Sequence, residues 1–205
     1  MSIVLLLNVY KLKRKNIYTL VMKRTEALEL LHKYIENPRM INHCLSSEVV
    51  LRALAKRLGR DEEKWALAGL LHDLDVEKVN GDSKIHGLET ARILTELGID
   101  ADIVDAIKMH NEAATGLPRT TEFQHALACG ETITGMITAT TMVYPDQKIV
   151  GVKPKSITKR MKQAAFAASV SRENIMECEL IGIPLDEFAE LSIEAMKAIS
   201  DEIGL

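Results

Sequence analysis

His72 and Asp73 stand side by side after an apolar helical run, and both side chains are strong metal ligands. Ala66, Leu67, Leu70, Leu71 and Leu74 recur at helical spacing, which predicts a buried helix leading into the pair. A buried imidazole beside a buried carboxylate is costly unless something satisfies both. A metal ion would do so. His43, His86 and His110 add three imidazoles, and Glu131 adds a carboxylate from another apolar helix. Each interval between these histidines is about one helix plus one connection, so antiparallel neighbours could bring all four into one cleft. Imidazole with carboxylate suits zinc, iron, manganese, nickel or cobalt, and the two oxygens of Asp73 could bridge two ions.

The elements that must position these residues read as helices throughout. Periodicity predicts a first helix from Thr25 to about Ile35, stopping before Asn37-Pro38, and a second from about Ile41 to Leu58, ended by Gly59. Asp61 caps a third, which carries His72-Asp73 near its end. Asn80-Gly81-Asp82 is turn chemistry. A fourth helix is expected from about Ser83 to Leu97, with His86 in its first turn. Asp100 caps a fifth that ends at His110, and residues 112–119 read as a loop. Thr121 and Gln124 form a capping box for a long sixth helix reaching about Val143. Ser156 is read as the cap of a basic amphipathic helix from Ile157 to Ser169. Two more are expected, from Arg172 to about Ile181 and from Leu185 to about Ile203. No stretch shows strand alternation over a useful length, so the fold class is all-α.

A chain of 205 residues suits one domain with a sizeable core. Residues 1–22 differ from the rest: a short apolar run precedes Lys11, Lys13, Arg14 and Lys15, and Met22 offers a second start. The run is too short to span a bilayer, and its charges follow the apolar stretch rather than precede it as in a secretory signal. The expected organisation is therefore a dispensable extension, 1–22, and a domain, 23–205, without a membrane span. Cys44, Cys129 and Cys178 form no CxxC pair, which reads as a reduced, cytoplasmic chain. With a net charge of −3 nothing global points to nucleic acid, although local basic patches are possible. An aromatic content of 4% argues against a base-stacking surface. No stable nucleic acid complex is expected.

The order His43, His72-Asp73, His86, His110, Glu131 resembles the HD superfamily of metal-dependent phosphohydrolases, and is most similar to small proteins carrying the HDIG-type domain. The matching stretches are Ala68-Gly69-Leu70-Leu71-His72-Asp73-Leu74-Asp75, His86-Gly87-Leu88-Glu89, His110-Asn111-Glu112 and Glu131-Thr132-Ile133-Thr134-Gly135. The resemblance covers the chain from about Thr25 onward and implies a helical bundle around one or two metal ions. By the same resemblance His43, His72, Asp73 and Glu131 would hold the first ion, and Asp73, His86 and His110 the second. Two positions depart from the family pattern: Glu131 stands where an aspartate is usual, and Asn111 follows His110 where binuclear members often carry a second histidine.

The function expected from this set is hydrolysis of a phosphate mono- or diester of a small molecule, a nucleotide first among them. The catalytic His72 and Asp73 act as ligands and not as a proton relay. A di-iron oxygenase and a metal-stabilised regulatory protein are the alternatives. Asp75 or Glu77 is a candidate for orienting a ligating imidazole. Lys108, Arg119, Lys153 and Lys155 are candidates for substrate phosphate, the last two because they precede a helix N-terminus. His32 and His125 are read as ordinary.

Overall fold

The structure is a computed structural model and describes residues 22–205. The expected extension lies, but for Met22, outside the described residues. Among them there are eleven α-helices and no strand, so the fold is all-α as the periodicity indicates.

The first helix, α1 (Arg24–Tyr34), is closed at its start by the Glu26 carboxylate, which accepts the backbone N–H of Lys23 at 2.9 Å. The Asn37-Pro38 pair that stops it also starts α2 (Pro38–Leu58). The Asn37 side chain accepts the N–H of Arg39 at 3.0 Å, and Pro38 fills the first helical position, where its missing donor costs nothing. The helix therefore begins three residues before the expected Ile41, which brings His43 into its second turn. Gly59 ends α2 in the left-handed region.

Asp61 caps α3 (Glu62–Leu71) by accepting the N–H of Lys64. Helices α2 and α3 pack closely along their length. Gly69 permits this: a Cβ there would lie 2.5 Å from the carbonyl oxygen of Ser47. The long α7 (Glu122–Met142), closed by the expected Thr121–Gln124 capping box, crosses the other side of α2. Between them α4 (Leu88–Glu96) and α5 (Ala101–Met109) pair with each other, and α5 packs on both α3 and α7. The core between these helices is aliphatic. Leu51, Leu54, Leu70, Leu71, Leu74, Ile107, Leu127 and Ile133 are fully buried, each worth about 1.5–3 kcal/mol of transfer free energy.

A short α6 (Glu112–Thr115) lies within the expected loop. The C-terminal part comprises α8 (Pro154–Met161), α9 (Arg172–Met176) continued by a 3-10 turn over Glu177–Glu179, α10 (Leu185–Lys197) and α11 (Ser200–Ile203). Several boundaries differ from expectation. The fourth helix begins at Leu88, not Ser83, so His86 sits in a run of turns ahead of it. Helix α8 starts at Pro154 with Lys153 as its N-cap residue, and Ser156 instead meets the Tyr144 hydroxyl at 2.7 Å. It stops at Met161 because the Arg172 guanidinium collects the carbonyls of Gln163, Phe166, Ala167 and Val170, which a continuing helix would need for itself. The last expected helix is two, broken after Lys197.

Candidate metal centre

Four histidines from four segments converge on one carboxylate. His43 comes from α2, His72 is the residue that closes α3, His86 lies in the turns before α4, and His110 closes α5. Asp73, next to His72, is buried among them. Its Oδ1 lies 2.9 Å from His86 Nε2, 3.3 Å from His72 Nε2 and 3.7 Å from His110 Nε2, while Oδ2 lies 3.5 Å from His43 Nε2. Two groups of three have ligating atoms all within 4.8 Å of one another: His43, His72 and Asp73, and Asp73, His86 and His110. Asp73 belongs to both, as a bridging carboxylate would.

The far nitrogen of every ring is held. The Nδ1–H of His72 donates to the Gly69 carbonyl at 2.8 Å and that of His110 to the Ile107 carbonyl at 2.6 Å. A carbonyl cannot donate, so these rings must carry their proton on Nδ1 and turn a bare Nε2 inward. The Thr134 hydroxyl already donates to the Glu131 carbonyl, so it accepts from His43 Nδ1, 2.9 Å away. His86 Nδ1 donates to Asp75 Oδ1 at 2.7 Å. All four Nε2 atoms therefore face Asp73, in pairs 3.1 Å apart, His43 with His72 and His86 with His110. Once His86 gives up the proton its Nε2 holds toward Asp73, four inward lone pairs this close to each other and to a carboxylate make a donor set that fits a divalent cation, and outer acceptors that fix the tautomer are the usual accompaniment of imidazole ligands.

Asp75 is the orienting carboxylate, and Glu77 is not. Asp75 is fully buried. Besides His86 it accepts the N–H groups of Gly87 at 2.8 Å and of Glu89 and Thr90 at 3.1 Å. It thus supplies to α4, from outside the helix, the cap that Gly87 cannot. Glu77 instead accepts the backbone N–H groups of Glu36 and Asn37 between α1 and α2. Gly87 itself has φ +90°, and a Cβ there would meet the His110 ring at 3.0 Å. Asn111, the departure from the binuclear pattern, donates to the carbonyls of Ser83 at 2.7 Å and His86 at 3.0 Å, tying the His86 segment to α5.

Glu131 stands beside the first group without joining it. Its Oε2 is 3.7 Å from His43 Nε2, and the Thr132 hydroxyl donates to its other oxygen. Burial pushes its carboxyl up to about 8. Burial works the same way on Asp73, but the imidazoles of His72, His86 and His43 outweigh it and hold that carboxyl well below the usual carboxylate range. His43 falls to about 4 and His110 to about 3, chiefly by burial. His86 goes the other way. Burial opposes its charge, yet hydrogen bonds to Asp73 and Asp75 raise it to about 10.

A cation entering the second group must displace the proton that His86 carries near pH 7. Metal affinity should therefore rise with pH, by up to about tenfold per unit for each proton displaced. Calorimetric titration with zinc in two buffers of different ionisation enthalpy should count about one proton released per ion at His86, and more where Glu131 also gives up its proton. No release, with affinity flat from pH 6 to 8, would contradict this arrangement.

Arg119 does not face the cluster as a phosphate ligand. It is buried and all five of its N–H donors are engaged. Nε donates to Glu177 at 2.8 Å, Nη1 to the carbonyls of Met109 and His110, and Nη2 to Asn174 and Glu177. It holds the end of α5, and with it His110, to α9 and the turn after it. His125 shares the same Glu177 at 2.7 Å and lies outside the metal-ligating groups. Lys108, Lys153 and Lys155 are exposed and, among the described residues, make no ion pair. Lys108 lines an open groove between α4 and α5 with Arg92 and Thr95, whereas Lys153 and Lys155 lie at the start of α8, which packs on α7 and α10. Sequence reasoning missed Thr134, Asn174 and Glu177. Only Thr134 carries a local signal, one helical turn past Glu131.

Two kinds of comparison with known proteins find matches. The family model described as HD domain matches residues 40–142, half of the chain. Over 104 residues, 51% of its length, the chain is 31% identical to a tRNA (cytidine(56)-2'-O)-methyltransferase of Thermoplasma volcanium, and it spans 30% of that relative. No solved structure matches. Among the described residues no helix is long and apolar enough to cross a membrane.

Proposed function

Because the chain belongs to the HD domain family, a superfamily of metal-dependent hydrolases, we propose that it hydrolyses a phosphate ester, with a nucleotide as the preferred class of substrate. The observation that carries this reading is the convergence of four Nε2 atoms on Asp73, with every Nδ1 held by an outer acceptor. His43, His72 and Asp73 would hold one ion and Asp73, His86 and His110 a second. The chemistry such an ion would supply when bound is Lewis acidity toward a phosphoryl oxygen and a lowered pKa for bound water. The chain's own part is to hold. Asp75, Thr134 and the Gly69 and Ile107 carbonyls keep the imidazoles from turning, so little reorganisation is needed as charge develops on the phosphoryl oxygens. We keep Lys108, which lines the groove between α4 and α5, as the candidate for the substrate phosphate. The tRNA methyltransferase shares with this chain a stretch covering 30% of its own length, so methyl transfer is not carried over.

We assign Glu131 to the first ion as the family's aspartate. Glu131→Gln keeps the volume and loses the charge, and should weaken metal binding by about 10-fold or more, while Glu131→Asp keeps the charge and should lose less. If both variants unfold more easily yet hold their full metal content, Glu131 belongs to an ordinary buried pairing.

The test of function is a screen of the metal-loaded full chain against p-nitrophenyl phosphate, bis(p-nitrophenyl) phosphate and nucleoside phosphates, with manganese, iron, cobalt, nickel and zinc in turn. Turnover of one ester class, abolished by a chelator, is expected. Stoichiometric metal with no turnover of any ester would contradict the proposal, and oxygen consumption by the iron form would favour the oxygenase reading.

A further inference from the structure

Residues 147–172 contain no aspartate or glutamate, against seven lysines and arginines, in a chain whose net charge is −3. Two of the seven are spoken for. Arg172 is turned onto backbone carbonyls. Arg160 lies half-buried over the Phe166 ring, 4.9 Å from its centroid, and donates to the Ser156 carbonyl. The remaining five, Lys148, Lys153, Lys155, Lys159 and Lys162, are all exposed, and among the described residues none meets a carboxylate. Elsewhere the exposed Arg57, Arg60 and Arg92 each face a glutamate, and the other exposed cations of the described residues that meet no carboxylate, among them Arg39, Lys33, Lys56, Lys84 and Lys108, are scattered along the sequence rather than gathered in a segment free of acidic residues. Lys155, Lys159 and Lys162 follow helical spacing along one side of α8 and span about 10 Å of its axis.

We infer that this strip is a docking surface for the phosphate backbone of a nucleic acid, gripped without readout of its bases. Lysine ammoniums are strongly hydrated point charges, suited to meeting successive phosphates and unlike the arginine fork that seizes one bidentately. Few aromatic side chains are available for base stacking. A membrane surface fits less well. The apolar side of α8 is already used, with Ile157 fully buried and Met161 packed on the core, and the exposed Val150 is a single side chain rather than an apolar face that could enter a bilayer. Lys153 and Lys155 would then meet the phosphates of a polymer. The binding is of the weak, salt-sensitive kind, with a dissociation constant on the order of 10⁻⁴–10⁻⁶ M at physiological salt.

The test is fluorescence anisotropy of the full chain with a labelled 20-base-pair RNA hairpin and its DNA counterpart, from 50 to 200 mM salt. Four or five phosphate contacts predict a log–log slope of about −3.6 to −4.5. The triple variant Lys155→Glu/Lys159→Glu/Lys162→Glu should lose about 10-fold or more in affinity at 50 mM salt, and the neutral glutamine triple a smaller amount. The off-strip triple Lys33→Glu/Lys56→Glu/Lys84→Glu should bind as wild type, and all three variants should melt where the wild type does. Loss of either hairpin's binding on the strip alone supports the surface, and the hairpin that binds better identifies the nucleic acid. The inference is overturned by no binding of either hairpin at 50 mM salt, by equal loss in the off-strip triple, or by binding to phosphatidylserine vesicles alone.

Discussion

Asp73→Ala protein should fold, bind divalent metal more than about 100-fold more weakly than wild type, and show no metal-dependent hydrolysis. Loss of an outer hydrogen-bond partner typically costs 10–100-fold in metal affinity. Asp73 is not an outer partner: it belongs to both candidate ligand groups, within 3.7 Å of four imidazole nitrogens. Removing it deprives both groups at once. Asp73→Asn keeps the volume and one carbonyl oxygen but loses the anion, and should fall between the two. Competition titration against a chromophoric chelator measures the affinity, and circular dichroism of the same samples establishes folding. Wild-type affinity in folded Asp73→Ala protein would remove this residue from the centre.

Asp75→Ala should be the most destabilising change near the site. It orphans the imidazole N–H of His86 and the backbone N–H groups of Gly87, Glu89 and Thr90, all of which converge on a carboxylate with no exposed surface. Breaking a buried, hydrogen-bonded charge costs about 3–5 kcal/mol, which for a domain of this size lowers the melting temperature by about 10 °C or more. Metal binding by Asp73, His86 and His110 should suffer more than binding by His43, His72 and Asp73, because only the first of these groups contains the imidazole that Asp75 orients. The pH dependence has a definite sign. Burial disfavours the Asp75 anion, but hydrogen bonds from His86 and from the backbone of Thr90 and Gly87 prevail and depress its pKa. Its stabilisation is therefore present above the ordinary aspartate range near pH 4 and is lost as the pH falls below it. Acid unfolding of wild type and variant should converge there. A melting temperature within 2 °C of wild type at pH 7 would contradict the capping role.

What was legible in the sequence was local. The Thr121–Gln124 box, the Asp61 and Asp100 caps and the stripe leading to His110 depend on neighbours a turn away, and α3, α5 and α7 begin where those signals stand. The ordered histidines are also legible, since each lies at or near the end of an element whose packing is fixed by its own apolar face. Interactions between distant residues were not. His86 was expected inside a helix because the carboxylate that caps α4 comes from Asp75, twelve residues before Gly87, and turns the chain there with φ +90° at Gly87. Arg119 reads as a phosphate ligand until Asn174 and Glu177, more than fifty residues later, are seen to consume its donors. Arg172 ends the run after α8 by the same kind of non-local claim on carbonyls. Asn37-Pro38 carried its signal openly, but one pair serving as both stop and start is visible only once α1 and α2 are seen together.

Metal content per chain is the measurement that bears most directly on the centre. Wild-type protein, reconstituted with a divalent transition metal and dialysed, should retain one or two ions per chain by elemental analysis, and Asp73→Ala protein treated alongside should retain almost none. Wild-type protein that holds no metal, or an Asp73→Ala variant that holds as much as wild type, would contradict the assignment of these imidazoles and this carboxylate to a metal centre.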